Sequence, residues 1–153
     1  MESNAREQMA IVERAEAAPY IDYPPTPLWY YPSIGLWVAA MIGTFVWWRE
    51  NAVLFAGTIL VLVALEGAFI AWMSRRHGAL PMPGRGNPPR EIAAVWRGYF
   101  IGLALIVAAI AVVWWLTGPP IAAPAGFVLV TGGLVLYERR YAVAAAKVRE
   151  RLA

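Results

Sequence analysis

Val53–Met73 reads VLFAGTILVLVALEGAFIAWM, a nearly unbroken apolar run whose one ionisable residue is Glu66. At a helical rise of ~1.5 Å per residue its length is about 30 Å, the thickness of a bilayer's hydrocarbon core. A soluble chain of 153 residues has no interior deep enough to need such a segment. The stretch is read as a transmembrane helix, and the rest of the sequence is arranged around it.

Working outward, only Arg49-Glu50-Asn51 separates this run from an earlier one at residues 28–48. That earlier span opens on Leu28-Trp29-Tyr30-Tyr31, has its apolar body from Ser33, and closes on Trp47-Trp48. Indole and phenol rings concentrate at the headgroup level, so these clusters mark two interfaces; a ligand-binding aromatic cage is the lesser reading. Downstream, Trp72 and Ser74-Arg75-Arg76-His77 end the second span, at residues 53–73, and begin a polar loop over 74–97. Within it Gly78–Pro89 is too rich in Gly and Pro for regular structure. Asn87-Pro88-Pro89 then predicts a capped helix start at about Pro88. This third helix crosses at 98–117 and ends in Trp114-Trp115; Gly118-Pro119-Pro120 predicts a turn, and a fourth span follows at 121–137.

Nothing breaks the helix after Glu138-Arg139-Arg140, and Tyr137, Tyr141, Ala144, Val148 and Leu152 share one face of a terminal helix over 138–153. At the other end, residues 1–27 read as a short polar helix over Met1–Ala18 and an extended lead-in carrying Pro24, Pro25 and Pro27. The N-terminal segment is net acidic and the C-terminal one net basic, so the two are expected to meet. The predicted fold is an all-α membrane protein. Its four transmembrane helices form two tandem antiparallel hairpins, with a cytoplasmic helical extension.

Composition agrees with a membrane protein. Sixty per cent of residues are hydrophobic and 15% charged, against roughly a quarter charged in globular domains. The net charge of +3 is local, not spread over a face, so nucleic acid is not an expected partner. There is no cysteine and one histidine, His77, which removes thiolate metal sites, cysteine nucleophiles and bis-histidine haem. No phosphate-binding loop or catalytic triad is present; no metal, cofactor or enzymatic activity is expected. The N-terminus has no signal-peptide h-region. Of thirteen positive charges, the two short turns hold only Arg49; the other twelve fall on the termini and the 74–97 loop. By the positive-inside rule, both termini are expected in the cytoplasm of a bacterial cell, with the protein in its plasma membrane.

An internal repeat is also expected. Ile34-Gly35-Leu36 and Trp47-Trp48 recur as Ile101-Gly102-Leu103 and Trp114-Trp115, each 67 residues on, and Trp29 pairs with Trp96 at the same offset. Two helices per unit makes the repeat parallel. Small residues four apart predict close helix packing: Gly35, Ala39 and Gly43; Ala64 and Ala68; Gly67 and Ala71; Gly98 and Gly102.

Glu66 is the one candidate for intramembrane chemistry. It lies seven residues before Met73, about 10 Å inside the hydrocarbon. There a carboxyl is expected to stay neutral or to find a donor, with Thr44, Thr58, Thr131, Tyr99 or a rising arginine as candidates. Arg75, Arg76, Arg97, Arg139 and Arg140 are expected to contact lipid headgroups. The expected role is a non-catalytic accessory or interaction subunit, or a self-associating structural protein, in a homo-oligomer or larger membrane complex. The alternative is a small homodimeric proton- or cation-coupled transporter using Glu66. The small multidrug transporters are comparable in span count and in their single membrane glutamate. Their acid lies in the first span, whereas Glu66 lies in the second, and no motif is shared.

Overall fold

The computed structural model describes residues 2–22, 26–77, 83 and 86–152. The elements among them are all helical: α1 (Glu2–Ile21), α2 (Tyr30–Gly43) continued by a 3₁₀ segment (Thr44–Trp47), α3 (Ala52–His77), α4 (Arg90–Thr117) and α5 (Pro119–Leu152). Helices α3, α4 and α5 are each long and apolar enough to cross a membrane. Most of the Gly/Pro loop, and Tyr23-Pro24-Pro25, lie outside the described residues.

Four boundaries differ from the sequence reading, and each has a local cause. The first apolar run does not form one helix: α2 has 14 residues, and the chain then tightens into the 3₁₀ segment. Gly43 is a weak helix former at that point, and the Thr44 hydroxyl donates to the Met41 carbonyl at 2.7 Å, three residues back. Helix α1 runs three residues past Ala18, through Pro19; the ring's missing N–H deprives only the Ala15 carbonyl. Helix α4 starts at Arg90 instead of Pro88, and Asn87 does not cap it. A residue that precedes a proline is held out of helical geometry, and Pro89 itself has ψ 150°. Finally, Pro119 and Pro120 belong to the first turn of α5, where the N–H that a proline lacks would have no helical partner. The turn between α4 and α5 is Gly118 alone, at φ +79°, with its N–H bonded to the Trp114 carbonyl at 2.8 Å.

Helix α5 is the axis of the molecule, packing along α2 on one side and α4 on the other. Both neighbours run against it. Gly35 of α2 meets Phe127 and Thr131 while Ile42 meets Gly126; Ile110 of α4 lies near Gly126, Ile106 meets Gly133, and the Tyr99 ring lies 4.9 Å from that of Tyr137. Gly35 is the closest of these approaches. A Cβ there would lie 2.1 Å from the Thr131 hydroxyl oxygen and 2.9 Å from the Phe127 carbonyl oxygen. Helix α3 is attached differently. It touches α2 and the 3₁₀ segment and makes no extended packing with α4 or α5. The expected small-residue stripes are largely unused: Gly43, Gly67, Gly98 and Gly102 face open space. The helical glycines that are pressed besides Gly35 are Gly126 and Gly133 of α5, seven residues apart; outside the helices, Gly86 is pressed against the Tyr20 hydroxyl.

The buried core lies beyond the apolar spans, where the termini meet. Ala17 and Ile21 of α1, Ile92 and Trp96 of α4, and Tyr141, Ala144, Ala145 and Val148 of α5 form one cluster, with Tyr20, Val95, Tyr137 and Leu152 at its edge. Ile92 and Val148 are fully buried, each worth ~1.5–3 kcal/mol of transfer free energy. The face read from Tyr137 to Leu152 is the face α5 turns to this core.

Candidate functional site

Glu66 sits on the stripe of α3 that faces α2. Phe55, Leu62, Glu66, Phe69 and Met73 recur at seven, four, three and four, one face of a helix. Three contacts fix that stripe against α2 and its continuation. The Phe55 ring lies 5.1 Å from Phe45, the Trp37 indole donates to the Leu62 carbonyl at 3.2 Å, and the Phe69 ring lies 5.9 Å from Tyr30. Glu66 falls between the second and third and is half-buried. No hydrogen bond or ion pair joins it to any described residue.

The donors that the sequence offered Glu66 are engaged elsewhere or placed away from it. Thr44 bonds Met41, and the Thr58 hydroxyl donates to the Leu54 carbonyl at 2.7 Å. Thr131 faces Gly35 in the α2–α5 seam, where its hydroxyl is buried without a hydrogen bond. Tyr99 is turned to Tyr137 and Phe100. The reason is geometric: Thr131 and Tyr99 belong to the α5-centred packing, and α3 stands outside it.

Arg75, Arg76, Arg97, Arg139 and Arg140 are all exposed. The Arg76 guanidinium lies 5.5 Å from the centre of the Trp72 ring, a cation–π contact that holds it beside the aromatics of α2 and α3. Trp29, Phe69 and Trp72 cluster there at ring separations of 5.8 to 6.2 Å. The aromatic residues at 28–31 therefore pack on α3 and on each other. Tyr30 and Tyr31 lie edge to face at 6.0 Å, leaving no open cage between them.

The sequence reading missed what joins the termini in detail. A helix leaves its last four carbonyls without partners. Two of those of α1 are taken by side chains of α5: Tyr141 donates to the Tyr20 carbonyl at 2.9 Å, and Arg149 donates to the Ile21 carbonyl. In return Arg14 of α1 donates to the Leu152 carbonyl at the end of α5. Arg151 bridges Glu13 of α1 at 3.4 Å and Glu91 of α4 at 3.1 Å. Glu138, read only as the exit from the last span, is half-buried near Tyr31 and Thr26. Burial pushes its carboxyl above the usual carboxylate range, and the nearby Thr26 hydroxyl opposes part of that rise. The signal for this collar was present: Tyr137 and Tyr141 recur at helical spacing beside an acid.

Among the described residues, no group of three or more His, Asp or Glu is placed to hold a metal ion. Comparison of the chain with known protein families, with characterised proteins and with solved structures finds no match.

Proposed function

We propose that this protein is a four-span subunit of the bacterial plasma membrane that works by associating with other membrane proteins and performs no chemistry of its own. The observation that carries this reading is the isolation of α3. An apolar helix of 26 residues is fixed to the rest of the chain along one narrow stripe, leaving Val53, Leu54, Leu60, Val61, Val63, Leu65 and Ile70 exposed. A four-span protein acting alone gains nothing from holding one span apart, whereas a subunit gains a free face.

Several features support the topology. Fourteen α-helical and four 3₁₀ residues in the first apolar segment measure about 29 Å at ~1.5 and ~2.0 Å per residue, long enough to cross. With that segment counted, the chain makes two tandem antiparallel hairpins, and the 67-residue sequence offset makes them copies of one unit. Twelve of thirteen positive charges then lie at the end that holds both termini, which the positive-inside rule puts in the cytoplasm. The five exposed arginines there meet anionic headgroups.

Solubilisation of the full chain in mild detergent tests the role. A stoichiometric complex with a different membrane protein is expected; a monomer or a pure homo-oligomer overturns it. Reporter fusions at Asn51 and Gly118 test the topology, and both should report from outside the cytoplasm. The half-buried position of Glu66 on the α2-facing stripe favours one second reading, a homodimeric proton- or cation-coupled transporter. Glu66→Gln abolishes coupled uptake if that reading holds and leaves it unchanged if it does not.

A further inference from the structure

We propose that α3 receives a transmembrane helix of a different protein, and that the group it receives opposite Glu66 is a lysine or arginine side chain. This rests on the subunit reading above and names its docking face and the chemistry of its partner. Three observations lead to it. Glu66 has no hydrogen bond or ion pair with any described residue. Every lysine and arginine of the chain lies outside residues 53–73, the nearest along α3 being Arg75, nine residues and ~13 Å on from Glu66. Finally, the surface beside the acid is open: Val63 and Ile70 are exposed, and Gly67 has nothing opposite it.

Charge complementarity selects the occupant. In hydrocarbon a carboxylate is stabilised chiefly by a cation or donor at its own depth. This chain has no cation to offer there, and neither does a second copy of it. A second copy packed on the same face would set one Glu66 against another or against apolar side chains. A helix of another protein carrying a basic residue ~10 Å from its cytoplasmic end supplies the missing charge. The side chain of Glu66, half-covered by α2, is reached from the Val63–Gly67–Ile70 side. There the absence of a side chain at Gly67 allows a close approach.

Site-specific photo-cross-linking tests this in the full chain, expressed in the membrane of its own cell. A photoreactive residue is placed at Val63 or Ile70, with Leu105 of α4, also exposed, as the control position. The expected adduct from α3, absent from Leu105, joins a different protein within one helical turn of a lysine or arginine in an apolar span. Glu66→Ala lowers its yield about tenfold or more, a change of ~1.4 kcal/mol or above, while circular dichroism of the purified variant is unchanged. Glu66→Lys abolishes the adduct, and changing the mapped basic residue to Glu in the same cells restores it. An adduct to a second copy of this chain, to a span without a basic residue, or to lipid alone overturns the proposal. If Glu66→Ala still purifies in the same stoichiometric complex, the α3 assignment fails while the subunit reading stands. If no foreign subunit is found with the unaltered chain, both fail.

Discussion

Helices α3 and α5 both run beside α2, and they are held in opposite ways. Helix α5 presses glycine against its neighbours: Gly35 of α2 is seated on its Phe127–Thr131 turn, and its own Gly126 and Gly133 receive Ile42 and Ile106. Helix α3 meets α2 through rings and one indole hydrogen bond, with Gly67 unused. Both are strongly apolar, so apolarity does not decide which helices pack. In lipid it offers no drive for one helix to join another, and association follows shape and polar contacts. The further difference is that α5 continues past the apolar region into a core shared with α1 and α4, whereas nothing comparable is described beyond Met73 of α3.

That shared core gives the largest expected effect. Val148 is fully buried between α5, α1 and α4, and Val148→Asp places an unpartnered carboxylate there, at a cost of about 3 kcal/mol or more. Helix α1 should be released and cut rapidly by protease in detergent, with the apolar helices still formed. Leu65→Asn, on the exposed face of α3, should leave the cleavage pattern as it was. Equal protease sensitivity in the two variants would erase the contrast.

Gly35→Ala comes next. The added methyl meets the Thr131 hydroxyl and a backbone carbonyl, neither of which is the loose end of a flexible side chain, so α2 and α5 must separate. A loss of roughly 1–3 kcal/mol is expected, read as a lower thermal midpoint in detergent. At Gly126 and Gly133 the obstacle is the terminal methyl of an isoleucine, which can change rotamer. Their alanine variants should shift the midpoint much less. A midpoint for Gly126→Ala as low as that for Gly35→Ala would mean the whole seam is rigid.

The sequence made the three long helices legible because an apolar run of bilayer length has few other uses. It also pointed to the meeting of the termini, through opposite net charges and the spacing of Tyr141, Ala144 and Val148. The identity of the glycines that pack was not legible. Gly98 and Gly102 have the same spacing as many packed pairs and face nothing, whereas Gly126 and Gly133 sit seven apart and are pressed. Spacing places residues on a common face; it does not say whether another helix covers that face. The same gap applied to Glu66. Its place on a long apolar helix followed from the sequence, but its separation from Thr131 and Tyr99 depends on α3 standing outside the α5 packing, a tertiary fact with no local signature.

Two carboxyls carry the comparison to a smaller scale. Glu138 of α5 is packed beside Tyr31 and Thr26, and burial raises its carboxyl above the usual range. The folded state therefore holds that proton more tightly than the unfolded chain does. The stabilisation is complete below about pH 4.5 and is lost as the pH rises through the folded-state value. Glu138→Gln keeps the neutral shape at every pH. It should match the parent protein at acid pH and exceed it slightly in thermal midpoint near pH 7. An equal midpoint at pH 7 would show that the nearby Thr26 hydroxyl offsets the burial in full. Glu66→Gln, lacking any described partner within the chain, should leave the isolated chain's midpoint unchanged.

The smallest expected effect tests the duplication. Gly102 stands 67 residues after Gly35, the offset of the proposed duplication. If the halves were packed alike, α3 would lie on α4 as α5 lies on α2, and Gly102 would be pressed as Gly35 is. Instead a Cβ at Gly102 meets nothing within 4 Å. Gly102→Ala should leave the thermal midpoint in place or raise it slightly, because alanine is the better helix former by roughly 1 kcal/mol. A fall of the size expected for Gly35→Ala would mean that α4 is covered there in the assembled protein. The packing would then be more symmetric than one chain alone displays, and the separation of α3 would belong to the single chain and not to an assembly of chains.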